Sequence, residues 1–170
     1  YNHTVAQILL TGEDIENPER RQNFENTLYR LLELNALPIV NENDTVSTAA
    51  IAVGDNDTLA AIVACCARAD LLVLLSDIEG LYTADPRKDP QAKLIPLVEE
   101  VTPQIEALAD GKGSSLAVGG MATKLRAAKM VTASGADMII PQVAEPERLY
   151  EISHGKPVGH RLVGPRAPQT

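Results

Sequence analysis

Tryptophan is absent from this 170-residue chain and phenylalanine occurs once. Aromatic residues make up only 3% of a sequence that is 45% hydrophobic, so a core has to be built from Ala, Val, Leu and Ile. Such residues suit stacked helices and a parallel sheet, whose strands are covered on both faces and read as aliphatic runs. Cysteine is almost missing too. Cys65 and Cys66 are the only two, adjacent in a helical stretch where their side chains diverge and disulfide geometry is out of reach. They read as free thiols in a reducing, cytoplasmic compartment, and neither a CxxC spacing nor a nearby histidine suggests a reactive pair. His3, His154 and His160 lack metal-ligand spacing and are expected at surface or turn positions. No apolar run reaches the length of a membrane span, and no signal-type core is visible. The formal net charge is −8 with a pI near 4.8, which repels phosphate backbones and anionic lipid. Arg20–Arg21 and Arg87–Lys88 are isolated pairs, not a basic patch, so neither nucleic acid nor a membrane is expected as a partner.

What is present alternates between aliphatic runs and amphipathic stretches. Val5–Thr11 reads as a strand, and Pro18–Asn35 as a helix with Phe24, Leu28, Leu31 and Leu32 at helical spacing. Leu37–Val40 is a short strand entering the polar loop Asn41–Thr48. Asp55–Ala69 is a second helix, and Leu71–Leu75, with no polar alternation, a buried strand. Asp85-Pro86 and Asp89-Pro90 mark a hairpin-like excursion between Ile78 and Pro96. Thr102-Pro103 has the form of an N-cap followed by proline in the first turn. A Gly/Ser loop, Gly111–Gly120, precedes a helix over Thr123–Ser134, then a strand at Met138–Ile140, a short helix near Pro146–Ile152 and a strand at Val158–Val163. Strands alternating with helices predict an α/β fold with a mainly parallel sheet, in which ligands sit beyond the carboxyl ends of the strands. A chain that opens almost directly on an apolar strand, without Met, is expected to be truncated at its front.

Three constellations lie at those strand ends. Asn41-Glu42-Asn43-Asp44 follows a strand, and Gly54-Asp55-Asn56-Asp57 opens a helix. Asn56 or Asp57 could simply cap that helix. Capping uses one residue, whereas two dense amide and carboxylate clusters can bind the polar groups of a small metabolite or hold a cationic group. Ser76-Asp77 ends an apolar strand where a cofactor would lie; beginning a turn is an equally good account of it. Gly119-Gly120-Met121-Ala122-Thr123-Lys124 is a glycine loop running into a helix. Exposed N–H groups and the helix dipole attract phosphate there, and a lysine in the first turn opposes helix stability while suiting an anion. The spacing is not that of a Walker A loop. Together these features suggest phosphoryl transfer to a small metabolite, which relies on positioning and charge neutralisation.

At Asn41–Val46, Gly54–Leu59, Leu74–Arg87 and Gly119–Lys124, in this order and spacing, the chain resembles the glutamate 5-kinases of the amino acid kinase family. The resemblance runs from about Val5 to the end. It implies a three-layer α/β/α sandwich with a mainly parallel sheet, incomplete at the N-terminus. Residues 1–165 would be the C-terminal part of the kinase domain and 166–170 a tail or linker, with no PUA domain. It further implies transfer of the γ-phosphoryl of ATP, with Mg²⁺, to the side-chain carboxylate of L-glutamate, the first step of proline biosynthesis. By position, Asp44 and Asn56 would bind glutamate, and Asp57 would organise the catalytic lysines. Ser76 and Asp77 would lie along the nucleotide. Val118, Gly119, Gly120, Met121, Ala122, Thr123 and Lys124 would line its phosphates, Lys124 stabilising the transferred group. The acids around residues 44–57 and Lys124 are expected to face one another.

Three departures accompany the resemblance. The family's front portion, with its own phosphate-binding lysine, is missing, and no lysine precedes Lys88. Ser115-Leu116-Ala117-Val118 stands where the family usually has Gly-Leu-Gly-Thr. Ala50 and Ala52 replace commoner charged residues in the substrate loop, which would weaken feedback inhibition by proline. The family also implies a homo-oligomer. The chain alone is expected to be inactive. A non-catalytic nucleotide-binding fragment, or a kinase of the same family acting on another acidic amino acid, are the alternatives.

Overall fold

The computed structural model describes residues 2–46, 55–76, 80–83, 89–110, 118–141 and 146–164. Asp77, the Asp85-Pro86 turn, Ala50, Ala52, Gly54 and the 115–117 segment lie outside the described residues. The chain divides into two units, Tyr1–Leu59 and Ala60–Thr170.

The first unit is a strand–helix–strand motif. Strand β1 (Val5–Leu10) leads into Thr11, whose hydroxyl caps the short helix α1 (Gly12–Glu16) in a reciprocal capping box with Asp14. The Thr11 N–H and hydroxyl both donate to Asp14 Oδ2 at 2.7 Å. Sequence periodicity missed this helix because five residues are too few to show a period, although the Thr-x-x-Asp spacing was a usable signal. Asn17 then caps α2 (Pro18–Glu33), its Oδ1 accepting from the N–H groups of Glu19 and Arg20 at 3.0 and 3.1 Å. Proline in the first turn costs nothing, since its missing N–H would have no helical partner. α2 buries Phe24 and Leu28, one turn apart.

Strand β2 (Leu37–Glu42) pairs in parallel with β1, Val5 opposite Leu37 and Leu10 opposite Glu42. It runs two residues further than the sequence suggested. Asn41 and Glu42 complete the ladder opposite Leu9 and Leu10, and the Asn43 N–H donates to the Leu10 carbonyl at 2.7 Å. Backbone pairing overrode side-chain polarity there. Ala6, Ile8, Leu10, Pro38 and Val40 lie on the more buried face, while Val5, Leu9, Leu37 and Ile39 are exposed on the other.

The second unit is built on four strands, β3 (Leu71–Val73), β4 (Leu97–Val98), β5 (Asp137–Ile140) and β6 (His160–Leu162), in the spatial order β3-β5-β6-β4. β3 and β5 are parallel, as are β4 and β6, and only β5 and β6 are antiparallel. Mostly parallel pairing agrees with the expected α/β class. β3 is shorter and less buried than its aliphatic sequence suggested: Leu71 is 37% and Leu75 45% exposed, as befits the edge of the sheet. The helices are α3 (Asn56–Cys66), α4 (Pro103–Asp110), α5 (Val118–Ala133) and α6 (Arg148–Ser153). The hairpin is present at its base, where Tyr82 bridges Leu94 antiparallel and Thr83 N–H donates to the Lys93 carbonyl at 2.9 Å. Thr102 caps α4, accepting from the Ile105 N–H at 3.4 Å.

The core contains Leu74, Leu81, Val98, Leu125, Val131, Ile140 and Leu162, with Ala61, Ala127 and Ala128 almost completely shielded. It is aliphatic as expected, with Met121 and Met138 added. Cys65 is partly buried and Cys66 buried, and neither forms a disulfide.

Four helices end alike. After α2, α3, α5 and α6 the chain takes a left-handed residue, at Asn35, Arg68, Gly135 and Gly155. The next N–H reaches back to the carbonyls of Leu31, Ala64, Val131 and Glu151 at 2.9 to 3.2 Å. These are Schellman closures, which satisfy terminal carbonyls and turn the chain sharply. Glycine fills two of the positions at no steric cost, and asparagine tolerates a third. Arg68, at φ 49°, does not fit so easily. Replacing Arg68 by glycine is expected to stabilise the protein by about 0.5–1 kcal/mol, read as a raised midpoint in urea unfolding with an unchanged slope.

Candidate active site

The residues anticipated for the amino-acid substrate belong to the first unit. Asp44 is exposed in the turn after β2, where Thr45 Oγ1 donates to Asn43 Oδ1 at 2.6 Å. At the start of α3, Asp55 performs the capping. Its Oδ1 accepts from the Thr58 N–H at 2.7 Å and its Oδ2 from the Thr58 hydroxyl at 2.9 Å. The cap that sequence reasoning placed on Asn56 or Asp57 therefore falls to their neighbour. Asn56 is exposed and Asp57 half-buried in the first turn, where the helix dipole favours a carboxylate.

The nucleotide-side residues belong to the second unit and are organised by α5. The helix begins at Val118, so Gly119 and Gly120 are helical, not a loop, and Lys124 lies in the second turn, not the first. Two glycines cost a helix roughly 1 kcal/mol each relative to alanine. Burial of Met121, Leu125, Ala128 and Val131 along one stripe offsets this. Lys124 falls on the same stripe and is only 7% exposed. Lysine is among the residues least often fully buried, so the position is unusual for a surface-type side chain.

Strand lengths locate that lysine along the sheet. A three-residue turn joins α5 to β5, so the two run antiparallel. Nine helical steps, about 13 Å, separate Lys124 from Ala133; the three steps from Asp137 to Ile140 extend about 10 Å, which agrees to within about one residue. Lys124 is thus level with the carboxyl end of β5, and Val118–Thr123 project beyond it. Ser76, half-buried, leaves β3 at this same end, two residues after Leu74 N–H donates to the Ile139 carbonyl at 2.9 Å. Thr123 directs its hydroxyl to the Gly120 carbonyl at 2.9 Å. Each of the other described helices carries an acid in its first turn, while α5 has none. Its positive end is left for an anion.

An open cleft of about 420 Å³ lies in the first unit, lined by Leu9, Leu10, Phe24 and Thr27 with Asp14 and Arg20. Burial opposes the charge on Asp14, but the Thr11 hydrogen bonds and the Arg20 guanidinium outweigh it and hold its carboxyl below the usual range. None of the anticipated site residues lines this cleft. Among the described residues no cluster of three His, Cys, Asp or Glu could hold a metal, and no helix is long and apolar enough to cross a membrane.

One histidine was misread. His160, expected at a surface or turn, is fully buried in β6, its Nδ1 hydrogen-bonded to the Ile95 carbonyl. Strand alternation on either side of Arg161 was the available signal, weak in a three-residue strand.

A sequence model of the Amino acid kinase family matches residues 1–141. The chain belongs to the amino acid kinase family. Within it, the chain is 55% identical over 152 residues to the glutamate 5-kinase of Paramagnetospirillum magneticum, covering 89% of this chain and 41% of that protein. It is 49% identical over 159 residues to the glutamate 5-kinase of Clostridium tetani, covering 94% of this chain and 60% of that one. The chain thus spans about half the length of the curated relatives it matches. The UMP kinase of Bacillus anthracis superposes with a TM-score of 0.60 over 98% of this chain and 60% of that one, at 13% identity. An isopentenyl phosphate kinase superposes at 0.55 over 81% of this chain and 50% of that one, at 20% identity. Both likenesses bear on the fold alone, and both place this chain in the amino acid kinase fold.

Proposed function

We propose that the protein is an ATP-dependent kinase that phosphorylates the side-chain carboxylate of L-glutamate. The observation that carries the reading is Lys124, buried on the core-facing stripe of α5 yet level with the carboxyl end of the sheet. Identities of 44 to 55% to several glutamate 5-kinases support the choice of substrate.

In this reading a carboxylate oxygen of glutamate attacks the γ-phosphorus, the bond to the β–γ bridging oxygen breaks, and ADP leaves. Asp44 accepts the substrate ammonium, and Asn56 bonds its polar groups. Ser76, Asp77 and the first turn of α5 hold the nucleotide, whose phosphates meet backbone N–H groups at Val118–Met121. Lys124 balances charge on the transferred group, and Asp57 organises the lysine ammonium groups. The acid-free N-terminus of α5 suits the phosphates and offers no carboxylate to a cation, so Mg²⁺ would be held mainly by the nucleotide itself and would supply neutralisation of the polyphosphate charge. Residues 1–165 act as the C-terminal part of the kinase domain, and further phosphate-binding groups are supplied from outside these 170 residues. A homo-oligomer, a cytoplasmic location and inhibition by proline complete the proposal.

Hydroxylamine trapping of the acyl phosphate formed from ATP and glutamate tests it in the full-length protein. Glutamate is expected to be turned over, and N-acetylglutamate and aspartate not. Asp44→Ala is expected to raise the glutamate KM by about 10- to 100-fold, the loss of a charge-assisted hydrogen bond, with the ATP KM unchanged. Equal turnover of aspartate, or an unaltered glutamate KM in the variant, would overturn the assignment.

A further inference from the structure

His160 sits at the meeting point of three segments. Its ring has no exposed surface, and its Nδ1–H donates to the Ile95 carbonyl. Ile95 N–H in turn donates to the Leu81 carbonyl at 2.8 Å, closing the base of the hairpin. Gly80, at φ +125°, rests directly on the imidazole: a Cβ built there would lie 3.0 Å from His160 Cβ and 3.0 Å from Leu94 Cδ1. On the other side, Ile140 of β5 pairs with His160. The second ring nitrogen, Nε2, is buried and has no hydrogen-bond partner among the described residues.

A neutral ring with its proton on Nδ1 meets these surroundings well, since an unpaired acceptor costs less than an unpaired charged donor. A proton on Nε2 would be a buried cationic N–H without a partner among the described residues. The charged groups described near it do little to offset that charge. Arg161, next in β6, is exposed and pairs with Asp137 of β5. Lys93, beside Leu94, and Glu99, beyond β4, are exposed, and α5 turns Met121, Leu125 and Val131 into this core.

We propose that His160 is a positioning residue that pins the base of the hairpin (Gly80–Tyr82 with Leu94–Ile95) to the sheet as a neutral imidazole, and that its protonation releases that base. Gly80 follows Ser76 by four residues in the sequence, so the pinned base is close along the chain to the residue assigned to the nucleotide, but the proposal does not depend on that assignment. Burial pushes the His160 pKa below the ordinary 6.5, and the bond to Ile95 only partly opposes this. With the folded value depressed, the closed state gains nothing from protonation whereas the open state does. Closure is fully favoured above about pH 6.5 and weakens as pH falls below it.

Hydrogen exchange in the full chain, with no nucleotide added, reads this directly. Protection factors, corrected for the intrinsic pH dependence of exchange, are followed at the Thr83 and Ile95 amides. They are expected to drop about tenfold between pH 7.5 and 5.5, with α5 amides unaffected. His160→Asn keeps a donor for the Ile95 carbonyl but does not titrate, so its hairpin protection is expected to be independent of pH. His160→Phe keeps the volume but strands the carbonyl and is expected to lower protection at both pH values. Constant protection in the unaltered protein, or the same pH-dependent drop in His160→Asn, would overturn the proposal.

Discussion

Lys124→Met in the full-length protein is expected to lower kcat for acyl phosphate formation by about 10³-fold or more, with the glutamate KM nearly unchanged. The prediction follows from where the side chain sits. Its stem occupies the core-facing stripe of α5 with Met121, Leu125 and Ala128, while its height along the helix matches the carboxyl end of β5. Methionine has nearly the same length and replaces a charged head by an apolar one. The melting temperature is therefore expected to stay within about 4 °C of the original, a change of roughly 1 kcal/mol. A lysine kept for packing would give the opposite pattern, full activity and altered stability. Single-turnover kinetics with ATP and glutamate, alongside thermal unfolding, separate the two.

Gly164→Ala is expected to lower stability more than a glycine-to-alanine change where space is open. A Cβ there would lie 2.7 Å from the Ala136 carbonyl oxygen, 2.9 Å from Gly135 C and 3.1 Å from the Thr132 oxygen. All three are backbone atoms of the end of α5 and of the turn into β5, held by the Schellman bonds from Gly135 and Ala136. Nothing flexible is available to move aside. The Gly164 N–H is itself anchored, donating to Asp137 Oδ1 at 3.1 Å. Overpacking against a fixed backbone costs about 2–3 kcal/mol, or roughly 6–10 °C in Tm. Gly155→Ala is the control. Gly155 has a positive φ of 73° but open space around it, so it should lose only about 1 kcal/mol from backbone strain. Equal losses in the two variants would show that contact is not the cause at Gly164.

The sequence was most legible where one physical signal repeats over several turns. α2 showed its helical spacing through Phe24 and Leu28, and Thr102-Pro103 announced α4 through capping chemistry alone. It was least legible where a neighbour decides. Asn41 and Glu42 are polar and read as loop, yet the backbone of β1 extends opposite them and draws them into the ladder. Gly119 and Gly120 read as loop because glycine weakens a helix, but the buried stripe that follows carries the helix back to Val118. The cap of α3 was placed one or two residues too late, since Asp55, Asn56 and Asp57 all have suitable side chains and only the backbone path selects Asp55.

What the sequence determined by itself was the class of fold and the family, because aliphatic strands, helical stripes and the ordered polar clusters are properties of spacing along the chain. Tertiary structure alone decided which polar groups are spent and which are kept. Asp55 uses both oxygens on a cap, Lys124 is drawn into the core stripe, and His160 is sealed beneath Gly80 with one nitrogen unpaired among the described residues. Burial and hydrogen-bond partners come from segments distant in sequence, and no local pattern encodes how they meet.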